Sequence, residues 1–291
     1  MKEITLLSGK GGAGKTSVAA ALASFAKNTV FCDNDVDAAD LHLIFHPEIE
    51  ETHLFSSGAV ATIHPETCTQ CGLCESSCRF NAIHTNETGF PGVNPHQCEG
   101  CRLCERICPA NAITTRENFN NNWFVSNTRF GKLVHAKMGP GEENSGKLVS
   151  RIRDKAREIA IENKAEFIIN DGPPGIGCSA ISSITGTDAV LLVIEPTVSG
   201  FHDARRLIEL VNSFNIRMFA VINKYDIDID FSEKIIQFLH TQNIEMLYQI
   251  PFDTVMVESM VHKQTIAEYA PEHLISENLG EAWRKLTLAL K

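Results

Sequence analysis

The sequence predicts an α/β fold, a mostly parallel sheet with helices on both faces, into which a small cysteine-rich domain is inserted. Three observations predict it. Short aliphatic runs alternate with helix-patterned segments at both ends of the chain. A glycine-rich loop joins the first such run to the first helical segment. Eight of the ten cysteines fall between Cys68 and Cys108. At about 150 residues per domain, a chain of 291 residues has room for two.

Residues Glu3–Leu7 are aliphatic or β-branched, as in a buried strand. Ser17–Lys27 is alanine-rich, with Leu22 and Phe25 at helical spacing, and reads as a helix. Thr29–Cys32 is a second strand, ending in Asp33. Asn118–Asn122 reads as a polar connector after the cysteine block. Trp123–Ser126 and Lys132–Ala136 then form a hairpin around Arg129-Phe130-Gly131. Lys147–Asn163 is an amphipathic helix, and Phe167–Asn170 is a strand running into Asp171. Further strands are expected at Val190–Ile194, Met218–Ile222 and Met246–Ile250, with helices near His202–Asn215 and Phe231–Gln242 between them. Leu279, Trp283, Leu286 and Leu290 share one face of a C-terminal helix. With Arg284, Lys285 and Lys291 as its cations it is weak for anionic lipid, so core packing is expected.

Composition narrows the function classes. With 43% hydrophobic and 21% charged residues the chain can offset its entropy, which excludes disorder. A formal net charge of −10 argues against nucleic acid as partner. Apolar runs such as Ala189–Ile194 are far short of the ~20 residues that span a bilayer, so no stable membrane insertion is expected. The first residues go straight into a strand without the pattern of an export signal. A cytoplasmic protein with metal-ligating cysteines is therefore expected, not a disulfide framework.

Gly9 to Thr16 fits G-x-x-x-x-G-K-[ST] between a predicted strand and helix. Backbone N–H groups of Gly9, Lys10, Gly11, Gly12, Ala13 and Gly14 would cradle phosphates at the helix N-terminus, where Ser17 follows. Lys15 would reach the β and γ phosphates, and Thr16 would hold Mg²⁺. The extra Lys10 makes K-G-G-x-G-K-T, and here the chain resembles the MinD/ParA group, with the nitrogenase iron protein and the Mrp group as relatives. The resemblance implies a P-loop NTPase sheet that binds ATP and Mg²⁺ in an ATP-dependent homodimer, with Lys10 acting on the partner's nucleotide. It implies that Asp35, in Asp33-Asn34-Asp35-Val36-Asp37, positions or deprotonates the attacking water. Asp33 would support hydrated Mg²⁺, Asp171 would bind it through water, and the Gly172 N–H would sense the γ-phosphate. Asn223 and Pro251 would lie at adenine. Taken alone, Lys10 also reads as a solvated loop lysine, and each acidic segment as a strand-end turn. Asn223-Lys224-Tyr225-Asp226 matches N-K-x-D, so GTP stays open.

The cysteines fall in two quartets, Cys68, Cys71, Cys74 and Cys78, then Cys98, Cys101, Cys104 and Cys108, in a block that repeats every 30 residues. This is the bacterial two-cluster ferredoxin spacing, in which the fourth cysteine of each run serves the other cluster. Cys68, Cys71, Cys74 and Cys108 would hold one [4Fe–4S] cluster; Cys98, Cys101, Cys104 and Cys78 the other. Zinc, which takes its ligands in two pairs, is the rival. The whole chain resembles MinD-type ATPases with an inserted ferredoxin domain. Residues 1–56 and 118–291 would form the ATPase domain and 57–117 the insertion. The implied function is ATP hydrolysis coupled to electron transfer or to docking of a redox partner. An iron–sulfur carrier and a MinD/ParA-like positioning switch are the alternatives. Cys178 lacks the upstream cysteine that would accompany it in the nitrogenase iron protein, since Gly139-Pro140-Gly141 leads only to Ser145. It is expected to be a packed small residue, with Cys32 in the core and His42, His46, His53 and His64 solvated.

Overall fold

A computed structural model describes residues 1–56, 58–139 and 145–291. The chain divides into two compact units. The first comprises Met1–His53, Trp123–Lys137 and Ser145–Lys291; the second comprises Leu54–Asn122 and Met138–Asn144, the latter described at Met138 and Gly139. The inserted unit is thus wider than the expected 57–117. Ser57, Pro140 and Gly141 lie outside the described residues.

The strands are β1 (Lys2–Ser8), β2 (Thr29–Asp33), β3 (Glu48–Phe55), β4 (Gly58–Ile63), β5 (Ile83–Thr85), β6 (Pro91–Val93), β7 (Ile113–Asn118), β8 (Asn121–Thr128), β9 (Gly131–Lys137), β10 (Phe167–Pro174), β11 (Ala189–Ile194), β12 (Arg217–Asn223) and β13 (Glu245–Ile250). The helices are α1 (Lys15–Ala23), α2 (Leu41–Phe45), α3 (Leu73–Ser76), α4 (Leu103–Ile107), α5 (Ser145–Glu162), α6 (Cys178–Ile184), α7 (Val198–Ser213), α8 (Ile229–Thr241), α9 (Val255–Val261), α10 (Ile266–Tyr269) and α11 (Leu274–Ala289).

The first unit is built on a nine-stranded sheet in the order β13-β12-β11-β1-β10-β2-β9-β8-β3. Strands β13 to β9 of that order pair in parallel. Their near-continuous aliphatic sequences suit a sheet covered on both faces. Ile4, Leu191, Val193 and Phe219 face one side with α1 and α11; Leu7, Val190, Leu192 and Ile222 face the other with α7 and α8. The face of α11 carrying Leu279, Trp283, Leu286 and Leu290 is buried in the first of these layers, as expected of a core helix. Gly131 enters β9 at φ +140°, and a Cβ there would lie 2.4 Å from the Thr29 carbonyl, so only glycine lets β9 approach β2.

Several expectations shift. The first helix ends at Ala23, before the expected Lys27. The Asn118–Asn122 connector is mostly strand, because Asn121 is buried and its Oδ1 accepts from the Gly139 N–H at 2.8 Å. Two histidines expected in solvent are stacked, His53 on Trp123 at 3.9 Å and His42 on buried His135 at 6.2 Å. Burial, with His42 beside it, pushes His135 down to about 4.

The second unit contains two short antiparallel pairs, β4 with β7 and β5 with β6. The 30-residue repeat is visible in the backbone. Gln70 and Gly100, Gly72 and Arg102, and Asn81 and Asn111 all have positive φ at matching positions. The buried apolar core is small: Ala61, Cys74, Ile83 and Ile113 form its cluster, and Ala82 and Ala112 are also buried.

Candidate functional site

The loop from Gly9 to Gly14 leaves the carboxyl end of β1, between β10 and β11, where open parallel sheets bind ligands. Gly12 and Gly14 have φ of +80° and +89°, turning the loop into α1. Gly11 to Ser17 line an open cleft of about 510 Å³ with Asp35, Asp37, Asp40, Pro173, Pro174, Ser179 and Met260. Ser17 Oγ lies 3.0 Å from the Met260 Sδ. Asp40, Ser179 and Met260 were not anticipated, since no motif spacing marks them.

Lys15 is buried and central. Its Nζ is 2.8 Å from Asp171 Oδ1 and 3.7 Å from Asp35 Oδ2. Burial works against its charge, but Asp171, Asp35 and Asp33 outweigh it and hold the ammonium above its usual pKa. Asp33 is wholly buried and engages both oxygens with its own turn, accepting from the N–H of Asp35 at 3.3 Å and of Leu41 at 3.1 Å. It therefore shapes the turn into α2. Asp171 Oδ2 is buried without a protein partner, the kind of orphaned oxygen a hydrated cation satisfies. Gly172 is buried in β10; a Cβ there would lie 2.6 Å from the Leu6 carbonyl, so it is required for packing whatever its N–H contacts.

Burial pushes the Asp35 carboxyl up to about 6, with Asp171, Asp37 and Asp40 adding to it and Lys15 opposing. A raised carboxyl stabilises the fold below its unfolded value and loses that contribution as pH rises through 6. Asp35→Asn is therefore expected to stabilise the nucleotide-free protein by about 1–2 kcal/mol above pH 7 and by nothing at pH 4. Thermal melts across that range check it; no pH dependence in the difference would refute the assignment.

Lys10 turns away from the cleft. Its Nζ is 2.8 Å from Glu195 Oε2 and 3.0 Å from Thr197 Oγ1. Lys224 meets the other Glu195 oxygen at 3.0 Å. Burial raises the Glu195 carboxyl, but hydrogen bonds from Lys10 and Lys224 override it and leave the group below its usual range. Asn223 Nδ2 donates to the Ala13 carbonyl at 2.8 Å, bracing the phosphate loop. Asp226 Oδ1 accepts from the Phe252 N–H at 2.6 Å, which engages the aspartate of N-K-x-D with the half-buried Pro251 segment.

In the second unit Cys68, Cys71, Cys74 and Cys108 line one cavity, with Ile63, Leu73, Pro91 and Ile113 as its apolar wall. Among the described residues, backbone N–H groups donate to cysteine sulfurs: Cys68 accepts from Gln70 at 3.4 Å, Cys78 from Ala82 at 3.4 Å, Cys98 from Ala61 at 3.5 Å and Cys108 from Ala112 at 3.3 Å. Burial raises the Cys74 and Cys104 thiols; Cys68 and Cys71 add to the first, and Cys98 and Cys101 to the second. Among the described residues, no three His, Cys, Asp or Glu side chains are placed to hold a metal ion.

The other cysteines divide. Cys32 is fully buried, which pushes its thiol far up, as a core residue requires. Cys178 is exposed, a correction to its expected packing: it opens α6 directly after Gly175-Ile176-Gly177, at the end of the strand rather than within a layer.

Residues 4–266 match the CobQ/CobB/MinD/ParA nucleotide binding domain, spanning the phosphate loop, both acidic segments and Asn223. The chain belongs to this family. It is accordingly a P-loop ATPase of MinD/ParA type, for which ATP and Mg²⁺ are the expected ligands. An uncharacterised protein of Methanocaldococcus jannaschii is 34% identical over 288 residues, covering 98% of this chain and 96% of its own. In fold the chain is similar to the septum site-determining protein MinD of Pyrococcus horikoshii, solved with Mg-ADP, at a TM-score of 0.59 and 17% identity, covering 99% and 97% of the two chains. It is also similar to a ParA family ATPase of Chlorobium tepidum, at 0.56 and 17%, covering 97% and 98%. Among the described residues, no helix is long and apolar enough to cross a membrane.

Proposed function

We propose that this ATPase works as a nucleotide-dependent dimer whose ATP state governs an electron-transfer module of two [4Fe–4S] clusters, or that module's docking to a redox partner. The cavity lined by Cys68, Cys71, Cys74 and Cys108 carries the reading, because these are the four that the interleaved spacing assigns to one cluster. A cubane takes one thiolate at each iron, so its ligands are spread over several ångströms and do not converge on one ion. Cys98, Cys101, Cys104 and Cys78 would hold the second. Bound clusters would supply one-electron couples; the chain supplies thiolates, backbone N–H groups aimed at sulfur, and a partly apolar wall.

At the other site Lys15 would move from Asp171 toward the β and γ phosphates, freeing Asp171 for hydrated Mg²⁺ beside Thr16. Asp35, less acidic than an ordinary carboxyl, is poised to take a proton from the attacking water. Lys10 would reach the partner's nucleotide.

Protein purified without oxygen is expected to hold about eight irons and eight labile sulfides per chain, with paramagnetic signals on reduction. Stoichiometric zinc without broad visible absorbance would end the iron–sulfur reading. A positioning switch is the second reading, favoured by the likeness in fold to a septum-site MinD and a ParA ATPase. It predicts ATP-dependent binding to vesicles or DNA that survives loss of iron.

A further inference from the structure

We infer that Glu195 is a positioning residue for Lys10: it docks the lysine inside its own chain and must release it before two chains close over ATP. The inference rests on the reading of Lys10 as acting on the partner's nucleotide.

The dock is built rather than incidental. Glu195 follows the last residue of β11, and its Oε2 lies 2.8 Å from Lys10 Nζ. Thr197 Oγ1 takes a second contact from the same ammonium at 3.0 Å while capping α7 by accepting from the Gly200 N–H at 3.0 Å. A Cβ on Gly200 would lie 2.6 Å from the Glu195 carbonyl and 3.5 Å from Lys10 Cε, so the missing side chain leaves the floor on which the lysine stem rests. A Cβ on Gly9 would sit 2.6 Å from the backbone of Asp203 and Ala204, which ties the phosphate loop to the same helix. The paired side chains are only 29% and 13% exposed, so water screens them incompletely.

Glu195 also connects two parts of the nucleotide site. Its Oε1 meets Lys224 at 3.0 Å, and Lys224 sits beside Asn223, which braces Ala13. Ordering of the 223–226 segment around a bound base would draw on Lys224 and so reach Lys10 through one shared carboxylate. An ammonium held this way is not free to enter a second chain; dimer closure must exchange the Glu195 and Thr197 contacts for contacts with the partner's phosphates. Weakening the dock therefore favours the dimer, by about three- to tenfold for a partly exposed charged hydrogen bond.

Light scattering against protein concentration, with Mg²⁺ and a saturating non-hydrolysable ATP analogue, tests this on the full chain. Glu195→Gln is expected to half-dimerise at about three- to tenfold lower concentration than wild type. In a Lys10→Ala background the same substitution should change nothing, because the coupled partner is gone. Glu195→Asp, which keeps the charge on a shorter stem, should fall between wild type and Glu195→Gln. Dimerisation of Glu195→Gln at or above the wild-type concentration, or an equal shift without Lys10, overturns the dock. Wild type and Lys10→Ala dimerising alike would instead overturn the in-trans reading beneath it, and the dock with it.

Discussion

Replacing Lys15 with alanine is expected to abolish nucleotide binding and to destabilise the empty protein at the same time. The binding loss follows from removing the cation aimed at the β and γ phosphates, about 2–5 kcal/mol for truncating one partner of a buried charge pair. The stability loss follows from what remains. Lys15 is 2.8 Å from Asp171 and 3.7 Å from Asp35, and without it Asp33, Asp35 and Asp171 face one another with no cation. Stranding a buried charge costs about 3–5 kcal/mol. The carboxyls respond by holding protons more tightly. Burial, then Asp171, already raises Asp33 well above its usual value, and Asp35 stands at about 6. The folded variant then binds more protons than the unfolded chain, so its stability falls as pH rises. Melting curves at acid and alkaline pH should show a small deficit at pH 5 that widens by pH 8. Wild-type nucleotide affinity in Lys15→Ala would remove the phosphate-loop assignment altogether.

On the two-cluster reading proposed above, stripping iron is expected to unfold Leu54–Asn122 and leave the ATPase unit folded. The second unit has a small apolar core: Ala61, Cys74, Ile83 and Ile113 cluster, Ala82 and Ala112 are buried, and Ile63 and Val93 are partly so. Domains of roughly 70 residues often add a metal or a disulfide to a small core, and none of the eight cysteines of the block is in a disulfide. Chain entropy of about 1–2 kcal/mol per ordered residue leaves a core of this size little margin. Clusters bound as proposed above would add their binding free energy to the folded form alone. After treatment with an iron chelator, amide hydrogen exchange should approach unfolded rates in β4–β7 while β1, β10 and β11 stay protected. Retained protection in β4–β7 would show that the unit folds on its own core, and would remove this support for a cluster-dependent domain.

Much of this was legible in the residues because the chemistry is local. Gly9–Thr16 and the two cysteine quartets are contiguous motifs whose spacing fixes geometry over a few ångströms. The aliphatic runs of β1, β11 and β12 identify strands of a parallel sheet because both of their faces are buried. What was illegible depends on partners far away in sequence. Glu48–Phe55 is more than half charged or polar, has no regular alternation and is mostly exposed, so it carries no core pattern, yet it forms the sheet edge. Solvation of His53 was the natural reading until Trp123 was placed against it. The end of α1 at Ala23 likewise reflects tertiary context, since Phe25 leaves the helix to pack on Gly280. Glu195 was visible as part of a resemblance but not as the partner of Lys10, because 185 residues separate them.

The pairing of β2 with β10 sets Asp33 opposite Asp171, 138 residues later in the chain. During synthesis the first strands therefore wait, with an apolar edge uncovered, until the whole cysteine-rich segment has been made. Closing a flexible loop of that length costs only slowly more as it grows, about 0.6 kcal/mol per doubling. A compact insertion shortens it further, because the chain leaves through β3 and returns through β8, which are neighbours in the sheet. If the cysteine-rich segment matures around clusters as proposed above, its maturation and completion of the ATPase sheet become one kinetic problem. On that reading iron starvation should slow the appearance of ATPase activity.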